Sequence, residues 1–98
     1  MIHHIAMFRF RDDIADDVVA EIRADLLSLP AKIDSIRSYQ VGRDLSLSAT
    51  TWDMVVIGGF DDEAGYQAYS SHPDHLPIVA RIGELSTDRA ALQTAEIG

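Results

Sequence analysis

Apolar and polar positions change their period along this chain, and each change marks an element. From Ile2 to Arg11 the sequence IHHIAMFRFR alternates with period two. Ile2, His4, Ala6, Phe8 and Phe10 share one face and Ile5 and Met7 the other, so the run reads as a strand covered on both sides. The period then lengthens: Ile14, Val18, Ile22 and Leu26 recur at i+4, with Asp17, Glu21 and Asp25 on the polar side. Asp12 and Asp13 supply a cap for this predicted helix, which should end near Leu29, before Pro30.

Alternation returns at Ile36 to Val41, and Gly42 closes that segment as a strand end or bulge. A polar loop from Arg43 to Thr51 leads into a third strand, Trp52 to Phe60, with Trp52, Met54, Val56, Gly58 and Phe60 on one face and Val55 and Ile57 on the other. Asp61 and Asp62 cap a second helix whose packed stripe is Ala64, Ala68 and Tyr69. It stops at the residue before Pro73, because proline disfavours the α conformation in its predecessor. His75 to Gly83 reads as a short helix with Pro77 near its first turn, and Thr87 to Ile97 as a weakly patterned last strand.

Strand, helix, strand, strand, helix, short helix, strand is the order of an α+β chain. It folds as a four-stranded antiparallel sheet with helices on one face, the ferredoxin-like βαββαβ arrangement. Helices on one side leave the other sheet face open, and that face is expected to carry Phe8, Phe10, Trp52 and Val56. Leaving several large side chains in water forfeits several kcal/mol at about 25 cal/mol per Å2, comparable with the whole stability of a small domain. A second copy packed sheet to sheet removes the problem, so a homodimer is expected on physical grounds.

Composition narrows the class. Ninety-eight residues suffice for a single domain, 1–98, and 47% hydrophobic residues with a mean hydropathy of zero describe an ordinary soluble globular chain. No apolar run approaches the ~20 residues of a membrane span. Eight basic against sixteen acidic residues give a net charge of −8, which repels nucleic acid and anionic lipid alike. Without cysteine there is no disulfide, thiolate nucleophile or cysteine-based zinc site. Met1 to Phe10 lacks the pattern of a secretory signal, so a cytoplasmic location is expected.

Chemistry rests on four histidines, His3, His4, His72 and His75, and on Tyr69, six residues before His75. Imidazole is the side chain that exchanges protons near neutrality, and a nearby tyrosine can hydrogen-bond a carbonyl or developing oxyanion. As a bare pattern HxxH has little specificity. His72, at a helix C-terminus, is expected to satisfy orphan carbonyls, and His3 points away from His4. His72, Asp74 and His75 offer local metal-ligand atoms, but no ligand held by second-shell partners stands at standard spacing from them, so no metal is expected. The pairs Asp12/Asp13, Asp16/Asp17 and Asp61/Asp62 are explained by helix starts, and Gly58-Gly59 has no phosphate-loop pattern around it.

Three segments together, MIHHIAMFRFRDD, SYQVGRDLS and YSSHPDH, resemble the Dabb family, the stress-responsive dimeric α/β-barrel domains. The resemblance covers nearly the whole chain. It implies a ferredoxin-like subunit, a homodimer whose sheets close a barrel, and a cavity in each subunit between sheet and helices. A plant polyketide cyclase of this family closes its substrate by aldol condensation without metal or organic cofactor. Matched to that enzyme's motif, His75 is the general base, Tyr69 orients it, and His4 is the pocket histidine of the first strand. Ala6, Phe8, Leu26, Met54 and Val56 are the expected apolar lining. The match departs at Met54, where the cyclase carries a pocket histidine, and at Arg23 and Leu26, which fall near aromatic positions of its first helix.

The resulting expectation is a cofactor-independent lyase, cyclase or isomerase acting on a small apolar or carbonyl ligand. The alternatives are a stress-responsive dimer that binds such a ligand unchanged, and a cofactor-free monooxygenase sharing the same barrel.

Overall fold

The computed structural model describes residues 1–98. Its elements are β1 (Ile2–Phe10), α1 (Asp16–Leu27), β2 (Ile36–Arg43), β3 (Met54–Phe60), α2 (Glu63–Ser70), α3 (Leu76–Leu85) and β4 (Ser86–Thr94), with a single 3-10 turn at Leu29–Ala31. The four strands form one antiparallel sheet in the order β2-β3-β1-β4, the ferredoxin-like topology. β1 and β3 lie at the centre, which is why both are apolar on both faces.

Register decides which side chains meet the helices. His4 pairs with Gly58 on β3 and Gln93 on β4, Ala6 with Val56 and Ala91, and Phe8 with Met54 and Arg89. The buried core contains Ala6, Phe8, Phe10, Val41, Met54, Val56 and Phe60 from the sheet, packed with Val19, Ile22, Leu26, Leu29 and Ile33. Phe8, Phe10 and Val56 therefore lie under the helices and not on the open face. Trp52 precedes β3, and the guanidinium of Arg9 covers its ring at 4.2 Å. The open face carries instead Ile5 and Met7 of β1, Val55 and Ile57 of β3 and Leu92 of β4. An apolar face exists as expected, one residue out of the expected register, and a single-residue shift moves every side chain to the opposite side.

Local chemistry explains the element ends. The first helix starts only at Asp16, with Ala15 as an uncapped N-terminal residue, so Asp12 and Asp13 belong to the preceding turn and cap nothing. Its buried residues are Val19, Ile22 and Leu26, with Ile14 and Val18 half-buried beside them. Asp62 does cap α2: its carboxylate accepts from the backbone N–H of Gly65 at 2.8 Å. Asp61 pairs with Arg37 at 2.9 Å. The inward side of α2 is formed by Tyr66 and Tyr69, whereas Ala64 and Ala68 are exposed; the i, i+3 spacing of the two tyrosines puts both over the sheet. Gly42 is an ordinary residue within β2, and the irregularity in that strand falls between Ile36 and Ser38.

Candidate functional site

A cavity of about 540 Å3 opens between β1 and β4 on one side and α2 and α3 on the other. That volume lies within the range of small-molecule sites. His4, Ala6, Phe8, Leu26, Val56, Tyr69 and His75 all line it, so residues of β1, α1, β3, α2 and the turn before α3, distant in sequence, meet around one cavity. Met54 is the exception. It is buried in the core and does not reach the cavity, because it sits beside Phe8, which stands between them in the sheet order.

His75 is the residue just before α3 and is held from two directions. Its Nδ1 lies 3.2 Å from the carbonyl oxygen of Ser70 at the end of α2. A carbonyl only accepts, so Nδ1 donates, and the lone pair of the neutral ring resides on Nε2. Its imidazole packs on Tyr69, ring centres 4.1 Å apart and tilted 35°. Burial lowers its pKa from the ordinary 6.5, opposed by the Ser70 hydrogen bond and aided by His72.

His4 carries the complementary tautomer. The amide nitrogen of Gln93 donates to its Nδ1 at 2.8 Å, which leaves the proton on Nε2. The same amide nitrogen reaches the Tyr66 hydroxyl at 3.4 Å, and the Tyr66 ring packs 5.2 Å from the His4 imidazole. Burial, then the proximity of His75, lowers the pKa of His4. The cavity lining thus holds one neutral imidazole with a free lone pair and another with a free N–H.

Tyr69 does not hydrogen-bond His75. Its hydroxyl shares a 2.8 Å hydrogen bond with the hydroxyl of Tyr39 on β2. Burial pushes the Tyr69 phenol up to about 12, and burial together with Tyr69 raises Tyr39 as well, so both stay protonated. Gly58 makes this contact possible. It lies between His4 and Tyr39 in the sheet, and a Cβ there would meet the Phe60 ring at 3.2 Å and Tyr39 at 3.4 Å.

His72 is occupied by the turn, though not as a cap on carbonyls: its Nδ1 accepts from the backbone N–H of Asp74 at 3.0 Å. Its own carbonyl accepts from His75 and Leu76. No group of three or more His, Asp or Glu side chains converges anywhere in the molecule. Arg23, where the resemblance placed an aromatic position, binds the Val41 carbonyl at 3.0 Å outside the cavity.

Sequence reasoning missed several residues of the site, among them Tyr66, Arg89 and Gln93 in the lining and Tyr39 behind Tyr69. Tyr66 was discoverable from its i, i+3 relation to Tyr69, and Tyr39 from its alternation with Val41. Arg89 and Gln93 alternate with Ala91 along β4 and read as solvent-facing because the strand is polar.

The model of the stress responsive A/B barrel domain, Dabb, matches residues 2–94. This chain belongs to the Dabb family. Among its relatives, a stress-response A/B barrel domain-containing protein of Arabidopsis thaliana is 30% identical over 84 residues, spanning 79% of this chain and 69% of that protein. A dimeric ferredoxin-like protein from Thermobifida fusca is 40% identical, with a TM-score of 0.89 over 97% of this chain and 90% of that one. The hydroxynitrile lyase of Passiflora edulis shares the fold at a TM-score of 0.84 and 15% identity, covering 99% of this chain and 96% of its own. The Dabb fold is thus established here by sequence and by shape. No helix is long and apolar enough to cross a membrane.

Proposed function

We propose that this Dabb protein is a homodimer whose cavity moves a proton on a small carbonyl compound without an organic cofactor, as a lyase, cyclase or isomerase. The observation that carries the reading is the tautomer pair: Nδ1 of His75 is committed to the Ser70 carbonyl and Nδ1 of His4 to Gln93, leaving a base and a donor in one mainly apolar cavity. His75 Nε2 takes the proton from the carbon next to the carbonyl. The C–H electron pair moves into the carbonyl, and the N–H of His4 stabilises the resulting oxyanion. The enolate is then reprotonated by the His75 imidazolium, adds to a second carbonyl whose alkoxide takes that proton, or expels a leaving group that departs with it. Each outcome returns His75 to its neutral state.

Tyr69 acts here as a positioning residue: its ring fixes the imidazole while its hydroxyl is anchored by Tyr39. The homodimer is supported by the open apolar face and by the dimeric state of the Thermobifida fusca relative. Deuterium incorporation from heavy water next to the carbonyl of small ketones and aldehydes tests the chemistry. Wild type should exchange faster than buffer and His75→Ala should not, with the fold intact by circular dichroism. Equal exchange in the two leaves a protein that holds its ligand unchanged.

A further inference from the structure

Three cross-strand pairs follow one another along the cavity floor: His4–Gln93, Ala6–Ala91 and Phe8–Arg89. With a rise of about 3.3 Å per residue, the backbone of Arg89 lies about 13 Å along β4 from that of Gln93. The two alanines between them are small, and the floor is open where they stand. His4 and the exposed Arg89 therefore stand at opposite ends of this row of cavity-lining pairs.

Arg89 is the only cationic side chain lining the cavity apart from the histidines, and no carboxylate lines it. Its neighbour Asp88 faces the opposite side of the sheet and pairs with Arg9 at 3.9 Å. The other six arginines hold protein partners: Arg9, Arg11, Arg37, Arg43 and Arg81 pair with carboxylates, and Arg23 with the Val41 carbonyl. Arg89 has neither a salt bridge nor a hydrogen bond. In a chain with sixteen acidic residues and a net charge of −8, a guanidinium left without a carboxylate beside a mainly apolar cavity is unusual in its placement.

We infer that the cavity takes an elongated monocarboxylate, its carboxylate on Arg89 and its far end at His4 and His75. Guanidinium matches a carboxylate in two parallel hydrogen bonds, while the surrounding negative charge disfavours a polyanion. With a carbonyl at the far end, such a ligand is an oxo-carboxylic acid. That substrate class rests on the proton-transfer reading above; the carboxylate subsite does not.

Titration with octanoate and with 1-octanol, followed by NMR at low ionic strength, tests the subsite. Wild type should bind octanoate about five to ten times more tightly than octanol, the modest factor expected of a partly hydrated charge pair. Arg89→Gln should lose that preference with octanol binding unchanged, and Arg89→Lys should keep part of it. Equal affinities in wild type, or an unaltered preference in Arg89→Gln, overturns the inference. His75→Ala should retain the preference, so the subsite can stand even if the chemistry fails. For the substrate class, wild type should exchange deuterium into 5-oxohexanoate faster than into its methyl ester, and Arg89→Gln should erase the difference; equal rates in wild type reject it.

Discussion

The imidazole of His75 rests on the ring of Tyr69 at 4.1 Å, while the Tyr69 hydroxyl is turned to Tyr39 at 2.8 Å. Ring and hydroxyl therefore do separable work. Tyr69→Phe keeps the stack, and should retain deuterium exchange within about tenfold while costing about 1–3 kcal/mol for the Tyr39 hydroxyl left alone. Tyr69→Ala removes a buried ring and should cost about 3–5 kcal/mol. It should also let the His75 pKa rise toward 6.5, because the ring that excludes water is gone. NMR titration of the imidazole checks this. A Tyr69→Phe variant without exchange would transfer the role from ring to hydroxyl.

Burial lowers the pKa of both cavity histidines below 6.5, and this fixes the sign of the pH dependence. Above 6.5 both rings are neutral in the folded and unfolded chains and contribute nothing. As pH falls through 6.5 the unfolded chain takes up protons that the folded one refuses, so stability falls until the folded pKa is passed. Urea denaturation from pH 8 to pH 5 should show a plateau above 7 and a decline below 6.5. His4→Gln and His75→Gln should each flatten part of that decline. Exchange activity should fall only at the acid end of that window, below 6.5, where the folded protein's own His75 takes up a proton and loses its lone pair.

Strand and helix order was readable because each element carries its own period: β1 alternates, α1 repeats at three and four, and Asp62 sits where a cap belongs. Register was not. Phe8 and Val56 are as apolar as Ile5 and Ile57, so hydrophobicity alone does not say which set meets the helices; the side of the sheet on which the helical connections pass decides it. The site shows the same division. His4, Tyr69 and His75 were accessible through residue chemistry and motif, whereas Arg89 and Gln93 required knowing that β4 lies next to β1. Met54 does not reach the cavity although Val56 of the same strand does, because its β1 neighbour is the bulky Phe8 and that of Val56 is Ala6, a difference in side-chain size that alternation does not show.

Helix α2 depends on its cap more than a longer helix would, since it has eight residues and carries both Tyr66 and Tyr69. Asp62→Ala removes the acceptor for the Gly65 N–H and should cost about 1 kcal/mol in urea unfolding, with Asp62→Ser restoring most of it. The loss should also appear at the site as faster amide exchange at Tyr66 and Tyr69. Unchanged stability in Asp62→Ala would mean that packing of the two tyrosines alone holds the helix.

The open face of the sheet makes the last prediction. One row across it runs Gln40, Ile57, Ile5, Leu92, and the next runs Gly42, Val55, Met7, Ala90. Leu92 is 58% exposed, and no helix of the same chain covers either row. Two such faces stacked on a two-fold axis bury them mutually, and a stable interface removes about 800 Å2 from each partner. Light scattering should give twice the 10.8 kDa chain mass. Ile57→Lys places a charge at the centre of the face and should yield monomers that keep their circular dichroism but melt lower, because the apolar rows are then left in water. Ala64→Lys, on the exposed side of α2, should remain dimeric. A wild-type monomer, or a dimer that tolerates Ile57→Lys unchanged, would place the contact elsewhere and leave the apolar rows without a function.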